Sequence, residues 1–136
     1  VIQVINKISK HFGELSVNRG KEHGFLGMTV QIQDRRVVLS MRKQIKEVIQ
    51  WYGGSSRARR TTPAYRHLFK TSEEAEKLSN KRVETSHLVV AKLLYIAKRA
   101  RPDIEPVAFL CTRVTRANED DRKNLGRLID YLSHTN

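Results

Sequence analysis

The chain has 136 residues and fourteen carboxylates, and the first question is whether any of them converge on one site. Two-metal phosphoryl transfer needs acids gathered around a pair of cations. The spacing here does not offer that. Asp120 and Asp121 fall in the first turn of an expected helix, where they complement the positive end of its dipole. Asp34 sits in a turn, and Asp103 follows Pro102 at a helix start. Histidines 11, 23, 67, 87 and 134 are scattered, no two of them four apart, and Cys111 is alone, so zinc is not expected. Gly24 and Gly27 in "HGFLGM" lack the Lys-Ser/Thr that completes a phosphate loop. Cys111 has no disulfide partner, which fits a reducing compartment. Its neighbours in "AFLCTRV" are apolar, so it reads as a core thiol. No nucleophile triad can be argued from one Cys and distant histidines.

The chemistry that composition does suggest is anion binding. Twenty-six Lys and Arg against fourteen acids give a net charge of +12. An excess of this size points to an anionic partner, nucleic acid or an acidic membrane surface. The stretch "LLYIAKRARPDI" concentrates the question, because an apolar helix ends there on Lys98, Arg99 and Arg101. Favourable contact with the helix dipole accounts for one or two cations at a C-terminus. Three suggest a surface facing phosphate. No run approaches the ~18 apolar residues of a membrane span, and no secretion signal is visible. The expectation is an intracellular protein, in a cytoplasmic particle or the nucleus, with no membrane partner. The first residues, "VIQVINKISKHFG", begin in mid-pattern and read as part of something longer.

The elements that must position these groups follow from periodicity. Val1, Val4, Ile5, Ile8 and Phe12 make one apolar face of a helix ended by Gly13. "ELSVNRG" reads as a short strand and a turn. "FLGMTVQIQD" alternates, with Leu26, Met28, Val30 and Ile32 on one face. Asp34–Arg35 turns the chain, and "RRVVLSM" returns with Val37 and Leu39 inward. Ser40 is placed to cap a helix lined by Met41, Ile45, Val48, Ile49 and Tyr52. Gly53 to about residue 78 reads as a linker, with Arg57, Arg59 and Arg60 solvated and an acidic turn at "TSEEAEKL". Helices follow from Ser79 or Asn80. One is apolar nearly all round at 88–97. One opens at Pro102 and carries Ile104, Val107, Ala108 and Cys111 on a face. One is capped by Asn118, with Leu125, Leu128, Ile129 and Leu132 inward. The expected fold class is α+β: a helix and β-hairpin followed by a three-helix bundle. The three parts are 1–52, 53–78 and 79–136. Each is basic, with nine, six and eleven cations against four, three and seven acids, so the charge is not a detachable tail.

The order of short motifs is more specific than any one of them. "HGFLGMTVQIQDRRVVLSMRKQIKEVIQWYG", "TTPAYRHLF", "LVVAKLLYIAKRARPDIEPVAFL" and "RKNLGRLIDYL" together resemble the reverse transcriptase of copia-type LTR retrotransposons, over nearly the whole chain. Ala91 stands where that family usually has Gly. "LSHT" at 132–135 replaces the family's Leu-Lys-Gly-Thr. The resemblance implies that 1–52 is the end of a polymerase palm with a hairpin that grips the primer, and that 79–136 is a thumb. The catalytic aspartates and their Mg²⁺ would belong to the parent polymerase, an RNA-directed DNA polymerase. This chain would carry no cofactor and be inactive alone.

The resemblance further implies a template–primer partner, either an RNA–DNA hybrid or duplex DNA, together with the rest of the polyprotein. The contact residues it implies are Gly27, Gln33 and Arg35 on the hairpin and Ala91, Lys92, Tyr95, Lys98, Arg99 and Arg101 on the thumb. A thumb helix in a minor groove needs a small residue for close approach, an aromatic for sugar contact and cations near phosphates. Ala91 and Tyr95, four apart, share a face. Two other readings compete: a stand-alone basic nucleic-acid-binding module, and an interaction domain for an acidic protein.

Overall fold

Apolar residues at helical spacing and turn residues between them produce, among the described residues, five helices and a small sheet. The computed structural model describes residues 1–70, 72 and 74–135. The helices are α1 (Ile2–Phe12), α2 (Arg42–Tyr52), α3 (Asn80–Ala97), α4 (Val107–Cys111) and α5 (Glu119–Thr135). The strands are β1 (Glu22–Phe25), β2 (Met28–Gln33) and β3 (Arg36–Ser40), in the order β1-β2-β3. Short 3-10 turns at Pro102–Ile104 and Val114–Arg116 flank α4. The class is α+β, with a hairpin sheet and a helical bundle. Contacts divide the chain into two compact units, Val1–Val38 and Leu39–Asn136.

In the first unit, α1 ends at Gly13, whose φ of +88° is open to glycine at no steric cost. Residues 14–19 form no strand, against the expectation for "ELSVNRG". The strand lies further on, at Glu22–Phe25, and pairs antiparallel with β2 from Glu22↔Gln31 to Phe25↔Met28. Leu26 and Gly27 form the two-residue turn between them, with φ of +49° and +76°. Two positive φ values are what a tight hairpin turn matching strand twist requires. That turn takes Leu26 off the strand face expected for it and leaves it exposed. Val37 and Leu39, expected inward, are exposed as well, and Ile32 with them; no side chain of Val1–Val38 is buried.

The second unit holds the core. Met41, Ile45 and Val48 of the α2 face are buried against α3 and α5. Met41 takes the N-cap position of α2 without a side-chain cap, and Ser40 ends β3 instead. Gly53 closes α2 with φ of +102°, and the Gly54 N–H donates back to the Ile49 carbonyl at 2.8 Å, a six-residue helix-ending loop. Leu125, Leu128, Ile129 and Leu132 of α5 are all buried, as their spacing predicts. In the α4 region the buried face is Ile104, Val107 and Leu110; Ala108 and Cys111 are half-buried. The 3-10 turn at Pro102 supplies the reason, since its tighter winding rotates the following face.

Asn118 caps α5. Its Oδ1 accepts from the N–H groups of Asp120 and Asp121 at 3.1 Å, and Asp121 Oδ2 accepts from the Asn118 N–H at 3.0 Å. This is a reciprocal capping box. Asp121 Oδ1 also accepts from Arg113 Nε at 2.6 Å.

The expected linker is not detached. Asp130, buried in α5, accepts from the Ser56 N–H at 2.7 Å and the Ser56 hydroxyl at 2.6 Å, and Arg60 lies 3.7 Å from it. Arg127 donates to Thr62 at 2.8 Å and lies over the Tyr65 ring, and Leu68 is buried. Arg57 and Arg59 are exposed as expected; Arg60 is not. The acidic turn at "TSEEAEKL" falls partly on 71 and 73, outside the described residues. Within it, Lys77 bridges Asn118. The contacts therefore divide at Val38, and α2 and the 53–78 segment pack with the helices rather than forming the 1–52 and 53–78 parts expected.

Candidate nucleic-acid interface

α3 has two faces. Val89, Val90, Leu93, Ile96 and Ala97 are buried, so the opposite side must look outward. His87, Leu88, Ala91 and Lys92 are exposed there, and Tyr95 is half-buried. Ala91 is therefore a small residue on an open helix face and not a core spacer. C-terminal to it, two cations each lie on an aromatic ring. The Lys92 ammonium is 5.1 Å from the centre of the Trp51 ring, and the Arg99 guanidinium is 3.7 Å from that of Tyr95. Such stacking holds long side chains in place while keeping their charge at the surface. Trp51 is half exposed and is not among the contact residues expected from the sequence. Its signal was present: it sits one position off the buried stripe of α2, so it had to face outward.

The other two cations of "LLYIAKRARPDI" have internal partners. Arg101, with a side chain 17% exposed, forks onto Asp103: Nε to Oδ1 at 2.8 Å and Nη2 to Oδ2 at 2.7 Å. Its Nη1 and Nη2 also donate to the Thr135 carbonyl (3.1 Å) and hydroxyl (2.7 Å) at the end of α5, and the Tyr131 hydroxyl donates to Asp103 Oδ2 at 2.8 Å. The Arg-Pro-Asp sequence is thus a latch between the 3-10 turn and α5, and Arg101 is not available to a phosphate. Lys98 pairs with Glu105, both half exposed.

The hairpin residues form a separate group in the first unit. Gly27 lies in the turn before β2, while Gln33 and Arg35 lie at its other end. Six residues of strand separate the two ends by roughly 20 Å. Gln33 accepts from Arg36 Nε.

The described carboxylates of the helical unit are largely taken up by internal partners. Asp103, Asp121 and Asp130 are each engaged as described, and among the described residues no three His, Cys, Asp or Glu side chains gather to hold a metal. Burial pushes the Cys111 thiol above its ordinary 9.0, away from reactivity at neutral pH. No described helix is long and apolar enough to cross a membrane. In comparisons with protein-family models, curated proteins and solved structures, nothing matches this chain.

Proposed function

We propose that the chain is a template–primer-holding part of a copia-type retrotransposon reverse transcriptase, with α3 as the thumb helix that lies along the duplex minor groove. The observation that carries the reading is the outer face of α3. Ala91 is exposed there, and two ring-stacked cations, Lys92 on Trp51 and Arg99 on Tyr95, follow it toward the C-terminal end of the helix. A small residue lets the helix approach, and the cations beside it meet the backbone phosphates. Recognition of this kind reads shape and backbone, which suits a polymerase that must hold any sequence. The net charge of +12 supports the same reading, as does a first unit whose apolar side chains on α1 and the hairpin are left exposed. In the parent polymerase, upstream palm elements would cover them. The catalytic carboxylates and Mg²⁺ are assigned to those elements, and no step is assigned to a metal here.

The test is Ala91→Leu. Binding of an RNA–DNA hybrid should weaken severalfold, while stability stays within about 0.5 kcal/mol because the site is exposed. Unchanged affinity would remove α3 from the interface. The alternative, a stand-alone basic binding module, is favoured by the confinement of every buried side chain to 39–136. It predicts a many-fold preference for one sequence in the same titration.

A further inference from the structure

An open groove of about 380 Å³ lies beside the first turns of α3 and is lined by Tyr52, Lys81, Arg82, Thr85, Ser86 and Arg122. Three of its six side chains are cations. Glu119 holds two of them together: its Oε1 lies 3.2 Å from Arg82 Nη1, and its Oε2 lies 2.6 Å from Arg122 Nε. One carboxylate thus orients two guanidiniums side by side and leaves each with further N–H donors. Lys81 is exposed and has no acidic partner among the described residues. The groove therefore keeps an excess positive charge after its internal pairing.

Two further facts agree. The first turn of α3 carries no acid, and Ser79 makes no side-chain cap bond. Cations there oppose the helix dipole, and an anion beside them relieves both. Lys81, Thr85, Leu88 and Lys92 also recur at helical spacing, so the groove lies at one end of the line that leads to Lys92. Eleven residues of helix separate the two lysines by roughly 16 Å, which is several nucleotide steps of a duplex strand.

We infer that this groove binds a phosphate group, with the nucleic-acid backbone as its source, and so extends the contact along α3 beyond its outer face. The source of the phosphate rests on the proposed function; the anion site itself does not. The groove is open to solvent along its length, so a backbone phosphate can enter it with its sugars outside. No aromatic face in the lining is offered for stacking a base beyond the Tyr52 ring, whose hydroxyl is engaged with the Arg122 carbonyl.

The experiment uses the whole chain, a short RNA–DNA hybrid and inorganic phosphate as probes, with Lys81→Gln and Arg82→Gln as variants. Lys46→Gln, exposed on α2 and outside the groove, is the control. Each groove substitution should reduce the slope of log affinity against log salt by about one, with the melting temperature retained and the control unchanged. If hybrid binding is unaffected but phosphate raises the melting temperature of the wild-type chain and not of the variants, the site is upheld and its ligand is free phosphate. If neither probe distinguishes the variants from the control, the site is overturned. Ala91→Leu in the same titration separates the two ideas: a loss there, with an unchanged Lys81→Gln slope and no phosphate effect on melting, rejects the groove and leaves the proposed function standing.

Discussion

Arg101 shows how a residue chosen for its charge acquires a different role from its neighbours. Its bidentate hold on Asp103, with Tyr131 and Thr135 attached, ties the end of α5 to the turn after α3. Arg101→Ala should cost about 1.5–3 kcal/mol, the range for hydrogen bonds to charged groups, with hybrid affinity of the folded protein retained. The pH dependence follows. The Arg101 hydrogen bond, opposed by burial and helped by Tyr131, holds the Asp103 carboxyl below its ordinary 3.8. The unfolded chain therefore takes up that proton first, and stability falls as pH drops from about 3.8 through the lower folded value. Donation to Asp103, with burial, raises the Tyr131 phenol above 10.0, so its contribution is complete below that pH and lost above it. Urea midpoints against pH should show a shallower acid limb for Asp103→Asn; superimposable limbs would contradict the latch. The pairing was legible in part, because "RPD" and the Lys98–Glu105 separation place acids within one or two turns of the cations. The reach of Arg101 to Thr135 was not, since 34 residues of chain intervene.

Among the elements, the packing of α2 on α5 depends on a residue that is absent. A Cβ at Gly126 would stand 2.9 Å from the Tyr52 hydroxyl, which donates to the Arg122 carbonyl at 3.2 Å. Gly in a helix costs about 1 kcal/mol relative to Ala, so the position gives up helix stability to admit Tyr52. Gly126→Ala should gain little in the wild-type chain, because the hydroxyl must move. In the Tyr52→Phe background the same change should gain about 1 kcal/mol. A double-mutant cycle by chemical denaturation reads the difference, and additivity would refute the close approach. Helices of this kind were legible from periodicity: the α5 face and its Asn118 cap follow from spacing alone. The sheet was less so. A Leu-Gly pair gives a weak turn signal, so periodicity carries Leu26 into a strand that begins two residues later and places the preceding strand at 14–20 instead of Glu22–Phe25. The anchoring of 53–62 was also hidden, because nothing local marks Asp130 as the acceptor for Ser56.

On the scale of the whole molecule, the two units differ in what holds them. Leu39–Asn136 buries Val89, Leu93, Ile96, Ile104, Leu128 and Ile129 to 1% exposure or less, whereas Val1–Val38 buries nothing. An eleven-residue helix without a packed face is marginal in water, and so is a small sheet whose Phe25, Ile32 and Val37 remain exposed. Amide hydrogen exchange should therefore separate the units. The N–H groups of Ile2–Phe12 and of β1 and β2 should exchange almost as fast as an unfolded chain. Those in the buried turns of α3 and α5 should exchange only through global opening. Equal protection in α1 and α3 would show that the first unit has a stabilising partner within the chain. The proposed function adds a second expectation. Extending the chain upstream with the palm elements of its parent should raise protection in α1 and the hairpin, because those elements supply the apolar surface that Val4, Ile8, Phe12 and Val37 lack. Protection in α3 should not change, since its core is already complete.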